Sequence, residues 1–181
     1  MRRREVLAGA AALAVAGGGA AIATTDWTPW TDGADVSEHE LPSIEAPGSA
    51  AGTVVVPERG AVSVVEVFAT WCGVCADVMD PLGAVVDDLE DDVQFVSVTN
   101  EPLGGTRTHE DVADWWADHD GRWPVAHDEE LDLTRELEAA SVPYTVVLDA
   151  ENAISWRHSG YVGADELRAA IEAAADGSSM D

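Results

Sequence analysis

Two cysteines, Cys72 and Cys75, are the only ones in the 181-residue chain, and they stand where an apolar run ends: FATWCGVC, Phe68 to Cys75. The run before them, AVSVVEVFA (61–69), is β-branched and long enough for a buried central strand. After them Val78, Leu82, Val85 and Leu89 fall at spacings of 4, 3 and 4, which predicts a helix from about Gly73 to Leu89. The chain must therefore fold so that two sulfurs sit at a strand-to-helix corner.

Such a pair can serve as a staple, as half of a metal site, or as a redox centre. A bridge across two intervening residues closes almost no loop, so it removes little chain entropy. A zinc site needs two further ligands. The chain has no second cysteine pair, and His39, His109, His119, His127 and His158 are scattered singly. Copper held by the two cysteines and one histidine remains an alternative.

The redox reading accounts for the placement. A cysteine at the first turn of a helix meets unpaired backbone N–H groups and the positive end of the helix dipole, and both favour thiolate over thiol. Cys72 is then the exposed nucleophile. Cys75, one turn in and more buried, resolves the mixed disulfide. Gly73 lets a partner backbone approach, Val74 adds no charge, and the bulky Trp71 borders the thiol.

The rest of the chain alternates strand and helix signals. TVVV begins a short strand at Thr53, VQFVSVT (93–99) reads as a buried strand, and WPVAHD (123–128) as a short one. Thr108 and Asp111 form a capping-box pattern opening a helix with Val112, Trp115, Trp116 and His119 on one face. EELDLTRELEAA (129–140) reads as a helix. YTVVLD (144–149) and AISWRHSGYV (153–162) read as a hairpin, and residues 164–175 as a final helix. This order predicts an α/β domain with a mixed sheet flanked by helices. With Cys-x-x-Cys where the first central strand meets its helix, it points to a thioredoxin-like fold. The expected organisation is an export segment over 1–23, a Pro/Gly/Ser-rich tether over 24–52, the domain over 53–176 and a tail over 177–181.

Charge constrains the surroundings and the partners. The chain carries 35 acidic residues against nine basic ones, all arginine. Beyond residue 23 there are 34 acids and six arginines, a formal charge of −28. Self-repulsion on that scale opposes compaction at low salt, whereas molar salt shrinks the Debye length to about 3 Å. The composition therefore points to an extreme halophile, haloarchaeal-like. The acids are spread over helix surfaces, which reads as a hydrated surface and not as a tail for a basic partner. Nucleic acid is an unfavourable ligand for such a field.

At the N-terminus Arg2, Arg3 and Arg4 precede an uncharged stretch, Val6 to Ala23. Arg3-Arg4-Glu5-Val6-Leu7 resembles a twin-arginine signal, and Ala21-Ile22-Ala23 offers a small-x-small cleavage site. An uncleaved anchor is the rival: 18 residues make about 27 Å of helix, just short of the hydrocarbon core, and Trp27 and Trp30 would suit an interface. Either reading places the domain outside the cytoplasm, secreted or anchored on the outer face of the membrane.

FATWCGVC together with VPYTVVLDAENAISWRHSGYVGADEL resembles the TlpA/ResA-type thiol–disulfide oxidoreductases, exported members of the thioredoxin superfamily. The likeness runs from about Leu41 to Ala175. It implies an extra strand and helix between Glu101 and Asp128, and a cis peptide at Val142-Pro143 facing the sulfurs, with Val142 free to pair with a substrate strand. It implies a proton-accepting acid as well. Glu66, on the central strand, matches the buried acid of thioredoxins, and Glu101 matches an acid that TlpA/ResA proteins place beside the active site. Pro81 stands one residue later than the family's usual helix proline, so a differently bent first helix is expected. The activity implied is exchange of a Cys72–Cys75 disulfide with exported partner thiols, without a bound cofactor or metal. Electrons would pass through partner thiols and an unidentified donor. Apocytochrome or copper-site cysteines are the leading substrates for reduction. Oxidation or isomerisation of secreted proteins, or copper delivery, are the alternatives.

Overall fold

The computed structural model describes residues 35–89 and 92–177. The export segment, Trp27, Trp30, the first part of the tether and residues 178–181 lie outside the described residues. Eleven elements follow in the order β1 (His39–Ser43), β2 (Gly52–Val56), β3 (Val62–Phe68), α1 (Gly73–Val86), β4 (Val93–Thr99), α2 (His109–Asp118), β5 (Val125–His127), α3 (Asp132–Glu136), β6 (Tyr144–Leu148), β7 (Ile154–Ser159) and α4 (Ala164–Ala175). The fold is thioredoxin-like: one mixed sheet of order β2-β1-β5-β4-β3-β6-β7 with helices on both faces.

β3 lies near the middle because all seven of its side chains are buried, which only a strand covered on both faces achieves. It runs parallel to β4 and antiparallel to β6. Val64 and Phe68 join the layer that α1, α2 and α4 cover through Val78, Leu82, Val112, Trp116, Leu167 and Ile171. Val65 and Val67 face the opposite layer, closed by Leu133 and Leu137 around α3 and by Val36 and Leu41. The expected insertion is present as α2 and β5, and its helix is opened by the Thr108–Asp111 capping box.

An aromatic pile seats the insertion on the sheet. Phe68 packs on Trp115 and Trp116, Trp116 meets Trp123 edge-on, and Trp123 meets Phe95. The approach is close enough that a Cβ on Gly121 would run into the Trp116 indole.

Three expectations are corrected. Residues 39–43 of the expected tether form β1, which pairs with β2 along its whole length and touches β5 at Ser43. Val36, Leu41 and Ile44 anchor this segment in the core. Isolated apolar residues among acids and prolines gave no periodicity from which to read it. The helix expected over 129–140 shrinks to α3, because Leu131 and Glu138 both adopt left-handed φ values, 62° and 56°. Asp128 accepts the N–H groups of Asp132 and Thr134 instead, at 3.1 and 2.7 Å. Finally, α1 runs through Pro81 and stops at Val86, short of the expected Leu89.

Candidate active site

β3 delivers the chain to Ala69, whose carbonyl accepts the N–H of Cys72 at 3.1 Å. This turn makes Cys72 the N-cap of α1, with extended backbone (φ −93°, ψ 109°). Its sulfur does the work usually done by a Ser or Asp oxygen: Sγ accepts the backbone N–H of Cys75 at 3.2 Å. No acid occupies the first turn of α1, so the dipole field at the sulfur is not opposed locally. Cys72 and Cys75 are joined as a disulfide. Cys75 is fully buried and Cys72 is 8% exposed, so the outer sulfur is reached only through a narrow window.

The rim of that window is apolar. Trp71, Val74 and Tyr161 are the exposed large hydrophobic residues among the described ones. Gly73 is exposed between Trp71 and Val74. Across from the sulfurs the Val142-Pro143 peptide is cis, and the Val142 carbonyl oxygen lies 3.6 Å from Cys72 Sγ. Gly160, at φ +96°, donates its N–H to the Pro143 carbonyl at 2.9 Å. That bond sets Tyr161 beside the proline, a placement a lone tyrosine does not announce in the sequence.

The two candidate acids differ in kind. Glu66 is fully buried, and by strand alternation it shares the face of Val64 and Phe68, beneath α1. Neither carboxyl oxygen has a hydrogen-bond partner. Burial pushes its pKa up to about 8, against the lowering influence of the neighbouring Ser97 hydroxyl. Ser97 Oγ meets hydrogen-bond geometry with neither oxygen; it accepts Trp123 Nε1–H at 2.9 Å. Glu101 is buried too, but saturated. Its oxygens accept the Thr70 N–H (2.8 Å), the Thr70 hydroxyl (2.9 Å) and the Thr99 hydroxyl (3.1 Å), and Arg107 Nε stands 3.9 Å away. The Glu101 carbonyl accepts from buried His127 Nε2 at 2.9 Å. Glu101 thus grips the loop that presents Cys72, while Glu66 is a carboxyl with nothing to hold.

Among the described residues no group of three or more His, Cys, Asp and Glu side chains is arranged to hold a metal ion. His158 gives its Nε2 proton to the Tyr161 carbonyl at 2.9 Å.

A two-residue bridge capping a helix beside a cis-proline adds little to stability and is placed to be opened and reformed. The protein is a thiol–disulfide oxidoreductase of thioredoxin-like fold. The Redoxin family model matches residues 37–173, and the chain belongs to that family. No curated protein matches it. Among solved structures it is similar to StoA from Bacillus subtilis, with 18% identity and TM-score 0.64 over 76% of this chain and 98% of that one. It is similar to a putative thiol:disulfide interchange protein DsbE from Chlorobium tepidum, with 21% identity and TM-score 0.66 over 78% and 96%. A third is the exposed lipoprotein thioredoxin Etrx1 from Streptococcus pneumoniae, with 19% identity and TM-score 0.64 over 75% and 98%. At these identities the likeness is one of fold.

Proposed function

We propose that the protein works outside the cytoplasm as a dithiol reductant of exported proteins, with Cys72 as nucleophile, Cys75 as resolving thiol and Glu66 as proton acceptor. The Cys72 thiolate attacks a partner disulfide; a mixed disulfide forms and one partner sulfur leaves as thiolate. Cys75 then gives its proton to Glu66, which a pKa of about 8 leaves as carboxylate in a minority of molecules at neutral pH and in most above pH 8, and attacks Cys72 Sγ. The Cys72–Cys75 bond forms, the second partner sulfur departs, and two electrons have passed to the partner. No resident cofactor or metal enters this cycle.

The observation that carries the reading is the Cys75 N–H donated to Cys72 Sγ at the head of α1, since a donor aimed at that sulfur stabilises its anion. Glu66 is preferred over Glu101 as proton acceptor because its oxygens are unpartnered, whereas those of Glu101 are committed to Thr70 and Thr99. Glu101 is a positioning residue in this scheme. Trp71, Gly73, Val74, Val142 and Pro143 frame a docking strip for an extended, cysteine-bearing segment.

Location outside the cytoplasm is supported by the arginine-led N-terminus and by similar structures described as an exposed lipoprotein and a secreted oxidoreductase. The excess of acid over arginine supports work in concentrated salt. By likeness to TlpA/ResA proteins, apocytochrome or copper-site cysteines are the favoured substrates, with oxidation or isomerisation of secreted proteins as the second direction for the same chemistry.

The test is insulin disulfide reduction in molar salt. Turnover abolished by Cys72→Ser supports the assignment. Stoichiometric Cu(I) retention without turnover would replace it with copper delivery. Trapping with Cys75→Ser in the native host should recover a dominant exported thiol protein.

A further inference from the structure

A row of polar side chains crosses the sheet beneath the disulfide. Ser97 on β4 is in register with Glu66 on β3, Glu66 with Thr145 on β6, and Thr145 with His158 on β7. Residues in register share a face, with Cβ atoms about 4.5–5.5 Å apart. Two residues away on the same face the row reads Phe95, Val64, Val147, Trp156, all apolar. The polar row is therefore a local departure from the core and not its general character.

Its two ends differ. At one end Ser97 is closed off by Trp123 Nε1–H. In the middle, Glu66 and Thr145 are buried, and neither the carboxyl oxygens nor Thr145 Oγ1 has a partner. Three adjacent unpartnered polar atoms in a core are costly unless something joins them. At the other end the His158 side chain is 31% exposed. The Tyr161 carbonyl can only accept, so His158 Nε2 carries the hydrogen and Nδ1 holds a free electron pair. On α4 the carboxylate of Glu166 faces Nδ1 at 3.6 Å, while Asp165 turns to Arg168. On β7 the His158 ring stacks on Trp156, and Arg157 points to the other face, paired with Glu138. Among the described residues a protonated His158 would meet one carboxylate and no cation.

Resting on the reading of Glu66 as proton acceptor, we infer that Thr145 and His158 form the path by which that proton leaves the core. The protonated Glu66 carboxyl gives its proton to the Thr145 hydroxyl oxygen. The hydroxyl passes its own proton on to His158 Nδ1, and His158 releases one to solvent beside Glu166. Glu66 returns to carboxylate for the next cycle, and no electron moves in these steps. Where cross-strand spacing exceeds hydrogen-bond reach, a single bridging water with polar partners on both sides closes the gap. Thr145 and His158 are positioning residues for the proton and do not touch the partner.

The experiment follows two rates across pH: mixed-disulfide resolution, by rapid mixing of reduced protein with insulin, and steady-state insulin turnover with excess chemical reductant, which needs Glu66 to shed its proton in every cycle. Glu66→Gln should slow resolution by about 100-fold, as loss of a positioned proton acceptor does. Thr145→Val should leave single-turnover resolution unchanged and slow steady-state turnover by about tenfold, the rate equivalent of one hydrogen bond to a charged group, with KM unchanged. Thr145→Ser should restore it. His158→Gln, at a partly open position that leaves the core intact, should slow it comparably, move the pH profile and be rescued by added imidazole. If steady-state turnover by His158→Gln and Thr145→Val stays within about twofold of the unaltered protein while Glu66→Gln is slow, the path is wrong and the acceptor stands. If Glu66→Gln is also fast, the acceptor falls, and the path with it.

Discussion

Glu101 holds Thr70, two residues ahead of Cys72, with both carboxylate oxygens: Oε2 takes the backbone N–H at 2.8 Å and Oε1 the hydroxyl at 2.9 Å. The grip ties the end of β4 to the loop that presents the nucleophile. Glu101→Gln replaces an accepting oxygen by an amide that faces donors. It should cost about 2 kcal/mol, the range for hydrogen bonds to a buried charge. Urea unfolding should show a lower midpoint at unchanged slope.

Glu66 should make the protein less stable as pH rises. Its folded pKa, about 8, lies above the ordinary value of 4.5, so the folded state keeps a proton that the unfolded chain has released. Below about pH 4.5 both states are protonated and there is no penalty. Between about 4.5 and 8 the penalty grows, to on the order of 5 kcal/mol at its upper end. Glu66→Gln, neutral at every pH, should raise the thermal midpoint at pH 8 and change it little at pH 4.5.

Trp71 is 69% exposed beside the sulfurs, a large apolar surface that the described residues leave uncovered. Trp71→Ala should raise KM for a protein disulfide by about tenfold, the scale of an aromatic contact residue. KM for a small-molecule disulfide should stay unchanged. Steady-state kinetics with both substrates checks the split.

Glu136 fastens the N-terminal strand segment to α3: Oε1 accepts the Ser37 N–H at 2.8 Å, and Oε2 meets His39 Nε2 at 2.7 Å. Burial alone would raise this carboxyl; the Ser37 and His39 contacts outweigh it and hold the pKa below the usual range. A lowered folded pKa adds stability at neutral pH that is lost as pH falls through that value. Glu136→Gln should cost about 1 kcal/mol at pH 7 and less at pH 3. Amide exchange in residues 37–43 should quicken at neutral pH.

A formal charge of −26 at pH 7 predicts a salt requirement. The unfolding midpoint should climb steeply between 0.1 and about 1 M salt, where the Debye length falls from about 10 to 3 Å. Circular dichroism against salt concentration tests it, and a flat curve would overturn the halophilic reading.

Much of the fold was legible because most elements keep one period without interruption. Val62–Phe68 is apolar but for Ser63 and Glu66, and residues 164–175 carry Leu167, Ala170, Ile171 and Ala174 at helical spacing; the structure returns both almost to the residue. The cysteine pair and Val142-Pro143 were legible because their chemistry is local to a few residues. β1 was not, since Leu41 is its only buried side chain and its partner strand begins nine residues after its end. Tyr161, Thr145 and His158 were not, because their meaning lies in strand register and in the Gly160–Pro143 bond. A sequence shows which residues are polar, and only the register shows that four of them stand side by side.

The aromatic pile beneath the inserted helix has a mechanical consequence. Phe68 ends the strand that leads into the cysteine loop, and it rests on Trp115 and Trp116. Loosening α2 would withdraw the floor from under that strand end, four residues before the nucleophile. The helix between β4 and β5 is thus a footing on which the reactive sulfur rests.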